Sequence, residues 1–292
     1  MDFKKASILL FLFLLCLSRV LPGITLPVKD AKVTSTFGES RNDHFHNGLD
    51  FGGGEQDVRA VKDGKVVFYS DKRDFPFQSY LGSGNFVLVE HKDNTRTYYM
   101  HLKEGSINKT NYSLKEGSYL GRTSDTGHSY GIHLHFSLEK IQPLEIMNPL
   151  KLFKEELTDT LKPRIESVLV KVDGSDPMAV FDTITLNSGN NLSLYVKASD
   201  YFQNSMNKVA PYKITYSVNS EKFREYVFDK FIVKNNYYYL PPNFSFQDIY
   251  QKDGLYFLGD IVLRERRYDI TLTVEDLYGN RTTTERHILV RK

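Results

Sequence analysis

The pattern of apolar and polar positions divides the chain into three parts. Residues 6–18, ASILLFLFLLCLS, form one unbroken apolar run. Residues 26–150 are rich in glycine and contain short runs of the strand type. From residue 163 onwards, short alternating runs recur with turn signals between them. The pattern predicts a mainly β protein, with two antiparallel β units behind an apolar N-terminus.

Individual runs in the first β unit predict particular elements. Residues 59–70, RAVKDGKVVFYS, alternate around an Asp-Gly turn and predict a hairpin. Residues 85–102, NFVLVEHKDNTRTYYMHL, predict two strands joined by an Asp-Asn turn, and residues 132–139 predict another strand. Residues 151–162, KLFKEELTDTLK, have helical composition and predict a linker helix that ends at Pro163.

The second β unit contains nine strand-like runs and no cluster of metal-ligating side chains. Its spacing of strands and turns predicts a β-sandwich. Residues 192–204, LSLYVKASDYFQN, and residues 268–282, YDITLTVEDLYGNRT, resemble strand-to-loop segments of bacterial immunoglobulin-like domains. We therefore expect residues 163–292 to form an Ig-like β-sandwich. No motif in it selects among a spacer, a wall-binding module and an interaction module.

The N-terminus has the features of an export signal. Residues 1–23 combine the basic MDFKK start with an apolar run of 13 residues, which is short for a transmembrane span and typical of a signal peptide. An uncleaved N-terminal anchor is the alternative. The single cysteine, Cys16, follows Leu15 and so lacks the small residue that a lipobox requires. We expect secretion across the inner membrane to the periplasm, the cell envelope or the exterior, with no stable membrane span in the mature chain.

The charge balance argues against a nucleic-acid partner. Residues 1–23 hold three basic residues and one acidic residue, so 38 basic and 36 acidic residues become 35 of each once they are removed. A nucleic-acid-binding protein usually shows a basic excess or patch. The sequence carries no indication of an oligomeric state.

Histidines concentrate in the first half of the chain, which holds seven of the eight. The stretch HNGLD begins with His46 and ends with Asp50 as an H-x-G-x-D sequence. YYMHL places His101 at the end of a predicted strand. His133 and His135 lie two residues apart on another predicted strand, so their side chains face the same side.

Imidazole and carboxylate groups are a favoured ligand set for zinc, and a catalytic zinc site has three protein ligands and an open position. His46, Asp50 and one histidine of the H-x-H pair supply that number. The remaining histidines are then free for proton transfer or oxyanion stabilisation. Taken alone, each piece has a simpler interpretation, such as hydrogen-bonded core histidines or turn residues. The spacing to Asp50 favours His46 over His44 as the first ligand, and we expect His91 and His128 at the surface.

Several sequence pieces occur in the order of a known family: FHNGLDF, RAVKDGKVVF, GNFVLVEH, TYYMHL, KEGSYLGRTSDTGHSYGIHLHF and MNPL. Together they resemble the LytM/lysostaphin-type zinc metallopeptidases, the M23 or peptidoglycan endopeptidase family. The resemblance implies an antiparallel β-sheet with a groove. It also implies that Zn²⁺ is held by His46, Asp50 and His135, and that His101 and His133 are the catalytic pair.

The resemblance completes a domain layout. Residues 1–23 are expected to be a signal peptide, residues 24–150 an M23-type zinc peptidase domain, residues 151–162 a linker and residues 163–292 the Ig-like sandwich. Residues 71–84 lengthen one connection relative to the family pattern, and we expect this loop to flank the groove.

The function implied by the resemblance is that of a secreted zinc metalloendopeptidase, which hydrolyses peptide cross-links or stem peptides of bacterial peptidoglycan. One alternative is a non-enzymatic wall-binding or amidase-activating protein of the same fold, although such relatives usually lose ligands. Another is a zinc peptidase acting on protein substrates. The sequence does not indicate which bond is cleaved.

Overall fold

The computed structural model describes residues 24–77, 79–203 and 205–291. The predicted signal peptide, residues 1–23, lies outside the described residues. Within them, no helix is long and apolar enough to cross a membrane. The described chain is built almost entirely from β-strands, as the alternating pattern predicts.

Strands and short helices of the described residues are as follows. The first half contains β1 (Lys32–Ser35), β2 (Leu49–Gly52), β3 (Asp57–Arg59), β4 (Gly64–Ser70), β5 (Asn85–Glu90), β6 (Thr95–Leu102), β7 (Ser113–Leu114), β8 (Tyr119–Arg122), β9 (Leu134–Lys140), β10 (Glu145–Met147) and a 3-10 helix (Pro149–Phe153). The second half contains β11 (Arg164–Val172), β12 (Met178–Ala179), β13 (Thr183–Asn187), β14 (Asn191–Tyr201), β15 (Lys208–Val209), β16 (Lys213–Val218), β17 (Glu221–Val227), β18 (Lys230–Lys234), β19 (Tyr237–Tyr239), α1 (Phe246–Ile249), β20 (Tyr250–Gln251), a second 3-10 helix (Lys252–Gly254), β21 (Leu255–Val262), β22 (Arg267–Glu275) and β23 (Arg281–Arg291).

One large antiparallel sheet organises the first half of the chain. Its strand order is β19-β18-β10-β9-β6-β5-β4-β7, with β2 paired to the start of β9 and β1 paired to β2. Strands β3 and β8 form a separate two-stranded sheet. The antiparallel sheet predicted for this half is confirmed.

In the register of the large sheet, one residue from each of four strands lies in the same row across the sheet. Ser35 in β1 is opposite Asp50 in β2, Asp50 is opposite His135 in β9, and His135 is opposite Met100 in β6. His101 follows directly after Met100. Residues that are far apart in sequence therefore meet because the strands that carry them are neighbours.

The predicted β5–β6 hairpin and the strand carrying His135 are confirmed. The hairpin predicted over residues 59–70 is wrong, because β3 pairs with β8 whereas β4 pairs with β5 and β7. The chain crosses between the two sheets at Ala60 and Val61, which are fully buried. Their buried side chains fix the crossing in the core, which a local strand–turn–strand pattern does not reveal.

The linker helix predicted over residues 151–162 is also wrong, because only the 3-10 helix Pro149–Phe153 forms there. Phe153 and Leu157 are buried in the hydrophobic core of the first half of the chain. After them, the carboxylate of Asp159 accepts a hydrogen bond from the backbone N–H of Leu161 at 3.0 Å. A side chain that binds backbone in this way favours a turn over a helix.

Two sheets make up most of the second half. One has the order β12-β11-β14-β21-β20 with β15 attached to β14, and the other has the order β13-β23-β22-β16-β17. Both contribute to one hydrophobic core, for example Val196 from the first and Leu272 from the second. Pairing is antiparallel except between β13 and β23, which are parallel. The Ig-like assignment of this unit stays a prediction.

The hairpin β18–β19 leaves these two sheets and joins the first one. Strand β18 pairs antiparallel with β10. Phe231 in β18 stacks on Phe37 and Phe45 at ring-centroid distances of 4.3 and 4.6 Å. The exchange is mutual, because Phe202 from the second half lies in the core of the first half. The two halves thus share a sheet and both of their hydrophobic cores.

Candidate metal centre

Three buried side chains converge at the row of residues that crosses β2 and β9. The distance from His46 Nε2 to Asp50 Oδ1 is 3.1 Å, and the distance from His135 Nδ1 to Asp50 Oδ1 is 2.9 Å. His46 Nε2 and His135 Nδ1 are 3.1 Å apart. The structure therefore brings together the three residues predicted as metal ligands.

The hydrogen bonds on the far side of each imidazole determine which nitrogen carries a proton. His46 Nδ1 donates to the carbonyl oxygen of Thr36 at 2.7 Å, so its Nε2 has a free lone pair. His135 Nε2 lies 2.9 Å from Ser137 Oγ, and donation to that hydroxyl leaves Nδ1 as the acceptor. With Asp50 Oδ1, three acceptor atoms face one point. Such an arrangement fits a bound cation, and second-sphere partners of this kind orient histidine ligands of metals.

Gly48 lies between His46 and Asp50 because a side chain does not fit there. A Cβ atom on Gly48 would lie 2.6 Å from His135 Nε2 and 2.7 Å from the carbonyl oxygen of Phe136. The glycine of H-x-G-x-D thus allows the motif backbone to pass against β9.

Arg41 holds the second oxygen of Asp50. Its Nη2 donates to Asp50 Oδ2 at 3.0 Å and to Ser35 Oγ at 2.6 Å. Ser35 Oγ in turn lies 3.1 Å from His46 Nδ1. Sequence reasoning missed Arg41, because it lies in a loop five residues before the motif and belongs to no recognisable pattern.

Electrostatics keep the aspartate ionised. Burial alone would raise the pKa of Asp50, but the neighbouring His46 and His135 hold that pKa well below its usual value. Burial lowers the pKa of His135. Burial also acts to lower the pKa of His46, yet Asp50 outweighs it and raises that pKa. The site thus combines an anionic carboxylate with two imidazoles.

His101 and His133 lie beside the three converging residues. Each uses Nδ1 to donate to a backbone carbonyl, His101 to Thr126 at 2.7 Å and His133 to Gly131 at 3.0 Å. Their rings are 4.8 Å apart, and His133 Nε2 is 3.8 Å from Asp50 Oδ1. Both predicted catalytic histidines therefore adjoin the candidate metal centre, with Nε2 available.

The backbone at His101 is unusual. Its φ angle is +60°, in the left-handed region that residues other than glycine seldom adopt. Ser124 fixes the position, because its N–H donates to the carbonyl oxygen of His101 and its carbonyl oxygen accepts from the N–H of His133. Burial, and next the neighbouring His135, lower the pKa of His101 to about 4. His101 is therefore a neutral imidazole near pH 7.

The geometry agrees with a comparison to protein families. The family model described as Peptidase family M23 matches residues 44–149, which contain all five of these residues. Residues 44–149 form an M23 peptidase domain. A second family model, which carries no functional description, matches residues 162–291.

Curated and solved relatives of the M23 domain are similar over part of their length. The DD-carboxypeptidase/endopeptidase Mpg of Neisseria meningitidis is 24% identical over 51% of this chain and 37% of its own length. The peptidoglycan DD-endopeptidase ShyB of Vibrio cholerae is 32% identical over 35% of this chain and 22% of its own length. The solved catalytic domain of lysostaphin from Staphylococcus simulans is 25% identical, with a TM-score of 0.35, over 42% of this chain and 93% of that one. The chain thus spans well under half the length of these curated relatives.

The long loop of the M23 domain, residues 71–84, contacts the segments that carry its histidines; Gln78 lies outside the described residues. The carbonyl oxygen of Ser83 accepts from the N–H of His101, and that of Gly82 accepts from the N–H of His128. Phe77 in this loop is fully exposed. The expectation that the loop flanks the site agrees with these contacts.

Other histidines of the chain lie outside the centre. His128 is exposed, as expected. His44 is also exposed, and it pairs with the neighbouring Asp43. The expectation of a surface position for His91 is wrong. His91 is buried and bonded on both nitrogens, to the carbonyl oxygen of Asp63 and to Thr97 Oγ1. The charged residues next to His91 in the sequence suggested an exposed position and gave no sign of its role in the core.

The hairpin β18–β19 reaches the M23 motif itself. Asn47, the residue after His46, donates from Nδ2 to the hydroxyl of Tyr238 at 3.1 Å. The ring of Tyr238 stacks on Phe231, which packs beneath the motif loop. The second half of the chain therefore supports the candidate metal centre directly, which the sequence did not indicate.

Proposed function

We propose that the protein is a secreted zinc metalloendopeptidase that hydrolyses peptide cross-links or stem peptides of bacterial peptidoglycan. The observation that carries the proposal is the convergence of His46 Nε2, Asp50 Oδ1 and His135 Nδ1 within 3.1 Å of one another. Two imidazole nitrogens and one carboxylate oxygen are a ligand set that suits zinc, and three protein ligands are the number found at catalytic zinc sites.

In the proposed reaction, His46, Asp50 and His135 would hold a zinc ion, which would supply a Lewis acid for the scissile carbonyl and lower the pKa of water to roughly 7. His133 Nε2 and His101 Nε2 carry lone pairs, because both Nδ1 atoms donate to carbonyl oxygens. One of these nitrogens accepts the proton of the attacking water. The imidazole that gains the proton becomes a donor and protonates the departing amine, so the proton balance closes within the pair.

Support for the substrate comes from the M23 match and from the similarity to the peptidoglycan DD-endopeptidase ShyB. The exposed loop 71–84 beside His101 offers a wall for an extended peptide. The apolar run at residues 6–18 supports export to the periplasm, cell envelope or exterior, where such a substrate lies.

The test compares wild type with His135→Ala and His44→Ala. His135→Ala removes one converging nitrogen, so we expect less than a tenth of the bound zinc and of the muropeptide release. His44→Ala is the matched control, because His44 is exposed, lies two residues from His46 and pairs its side chain with Asp43. Zinc is measured by elemental mass spectrometry, and peptidoglycan products by mass spectrometry before and after digestion.

A wild-type protein that holds no zinc, or a fully active His135→Ala variant, contradicts the proposal. Zinc-loaded protein that leaves peptidoglycan unchanged favours the non-enzymatic wall-binding or amidase-activating alternative. Cleavage of peptide libraries without cleavage of peptidoglycan favours a peptidase of protein substrates.

A further inference from the structure

A second group of carboxylates lies away from the candidate metal centre of the M23 domain (the M23 centre), where the two halves of the chain meet. Two of its three members belong to the second β unit, which was expected to hold no cluster of metal-ligating side chains. Asp159 follows the first 3-10 helix, Asp200 lies in β14, and Asp276 follows β22. Each offers one oxygen to a set that lies within 4.8 Å of one another. The three residues are only 6%, 4% and 4% exposed.

Backbone donors hold each of these carboxylates in place. Asp159 Oδ1 accepts from Leu161 N at 3.0 Å, Asp200 Oδ1 from Tyr201 N at 2.8 Å, and Asp276 Oδ1 from Tyr278 N at 2.8 Å. Asp159 Oδ2, in contrast, is buried without any hydrogen-bond partner. An unpartnered carboxylate oxygen in a residue this deeply buried is costly and calls for a ligand.

The three aspartates together line part of a cavity of about 20 Å³. That volume is enough for one ion or one water molecule. Thr36 and Ala210 also line the cavity, so it touches both halves of the chain.

The group lacks an internal counter-charge among the described residues. The charged neighbours that act on Asp200 are Asp276 and Asp159, and no lysine, arginine or histidine pairs with the three. Burial, together with these like charges, raises the pKa of Asp200 to about 7, and burial raises the pKa of Asp159 and of Asp276. Buried carboxylates of this kind are normally paired with a cation or coordinate a metal.

We propose that Asp159, Asp200 and Asp276 bind one hard divalent cation of the Ca²⁺ or Mg²⁺ type at the junction of the two halves. An all-oxygen, carboxylate-rich set favours these ions over zinc. The site is separate from the M23 centre and does not depend on the proposed peptidase function.

A bound cation would also stabilise the geometry of the M23 centre. Asp200 is the register partner of Val209. The next residue, Ala210, exchanges hydrogen bonds with the hydroxyl of Thr36, and the carbonyl oxygen of Thr36 holds His46 Nδ1. A cation bound to the three aspartates therefore restrains the backbone segments that hold His46 in the M23 centre.

The experiment titrates CaCl₂ and, separately, MgCl₂ into chelator-treated full-length protein. Isothermal calorimetry measures the stoichiometry and thermal unfolding measures Tm. We expect one ion per chain and a Tm rise of about 5–10 °C at a hundredfold excess over Kd. The rise persists in His135→Ala, which separates this site from the M23 centre.

The variant Asp200→Asn removes one charge with little change of shape. We expect it to weaken cation binding at least tenfold and, because it removes like-charge repulsion, to raise the Tm of the cation-free protein. A merely structural role for Asp200 would lower that Tm instead. Asp176→Asn, the same change at an exposed position, serves as the control. The absence of one-to-one binding by either ion in wild-type protein overturns the proposal, and so does an undiminished response in Asp200→Asn.

Discussion

The two carboxylate oxygens of Asp50 have different roles in the candidate metal centre. Its Oδ1 faces His46 and His135, whereas its Oδ2 is held by Arg41. Arg41 thereby fixes the rotation of the carboxylate and leaves one oxygen free. Arg41 orients the carboxylate of Asp50, and the oxygen that faces the centre remains negatively charged.

Replacing Arg41 with alanine should weaken metal binding. The loss of the Oδ2 partner frees Asp50 to rotate, and partners of this kind typically change metal affinity by about 10–100-fold. A competition titration of zinc against a chromophoric chelator measures the change. Arg59→Ala, an exposed arginine on β3, is the control and should bind zinc as wild type does. Equal affinities for the two variants would show that Arg41 has no orienting role.

The lowered pKa of His101 predicts a pH dependence for the metal-free protein. Its folded pKa is about 4 against about 6.5 when unfolded, so the unfolded chain binds more protons between these values. The contribution of His101 to stability is therefore present above about pH 6.5 and is lost as the pH drops towards 4, by roughly 2–3 kcal/mol at pH 4.5.

Denaturant unfolding at pH 7 and pH 4.5, in the presence of a chelator, measures this loss for wild type and His101→Gln. The variant should lose less stability on acidification by about that amount. Any cost of glutamine at the left-handed backbone position cancels, because it is present at both pH values. Identical losses in the two proteins would contradict the prediction.

The resemblance to the M23 family pointed to His46, Asp50, His101, His133 and His135, and the structure brings these five residues together; their roles stay a prediction. Arg41 and Ser35 were not predictable in the same way. Their role arises from the loop that folds back over β1 and β2, and loops of this kind have no periodic signal. His91 was misassigned for a similar reason, because burial depends on partners distant in sequence.

Strands were predicted well, but their partners were not. Alternating runs identify a strand because the side-chain period of 2 is local. Which edge a strand joins depends on contacts across the whole fold, so the β3–β8 pairing and the transfer of β18 to β10 were both missed. The helix predicted over residues 151–162 failed because buried Asp159 binds backbone in a turn.

Phe231 in β18 packs the hairpin β18–β19 against the first half of the chain. It is fully buried and stacks on Phe37 and Phe45, which flank the start of the M23 motif. Phe231→Ala should destabilise the protein by about 3–5 kcal/mol, the usual range for a core phenylalanine. It should also weaken zinc binding, because Phe45 precedes His46.

Chemical denaturation and zinc titration measure the two effects of Phe231→Ala. Phe223→Ala is the control, since this phenylalanine lies on β17 and is half exposed. We expect it to cost less than about 1 kcal/mol and to leave zinc affinity unchanged. A zinc affinity that is unaffected by Phe231→Ala would show that the hairpin does not support the centre.

At the scale of the whole molecule, the two halves should unfold as one unit. They share a sheet through β10 and β18, and each hydrophobic core contains side chains from the other half. Differential scanning calorimetry should show a single transition with equal calorimetric and van't Hoff enthalpies. Two well-separated transitions would contradict this expectation.

A chain that ends at residue 162 tests the same point. It would expose Phe37 and Phe45 and leave the edge of β10 unpaired, which favours aggregation. We expect it to be insoluble or without cooperative unfolding, and therefore to lack peptidase activity even on short soluble peptides. A soluble, active fragment would show that the second half is a separable module.

Transfer of β18 to the first sheet has a practical consequence for protein engineering. A chimera that carries residues 44–149 into another host would leave behind residues 230–239, which complete the sheet and hold Asn47 through Tyr238. The smallest transplantable unit that contains the M23 domain is therefore discontinuous in sequence. Any graft or circular permutant has to bring that hairpin with it.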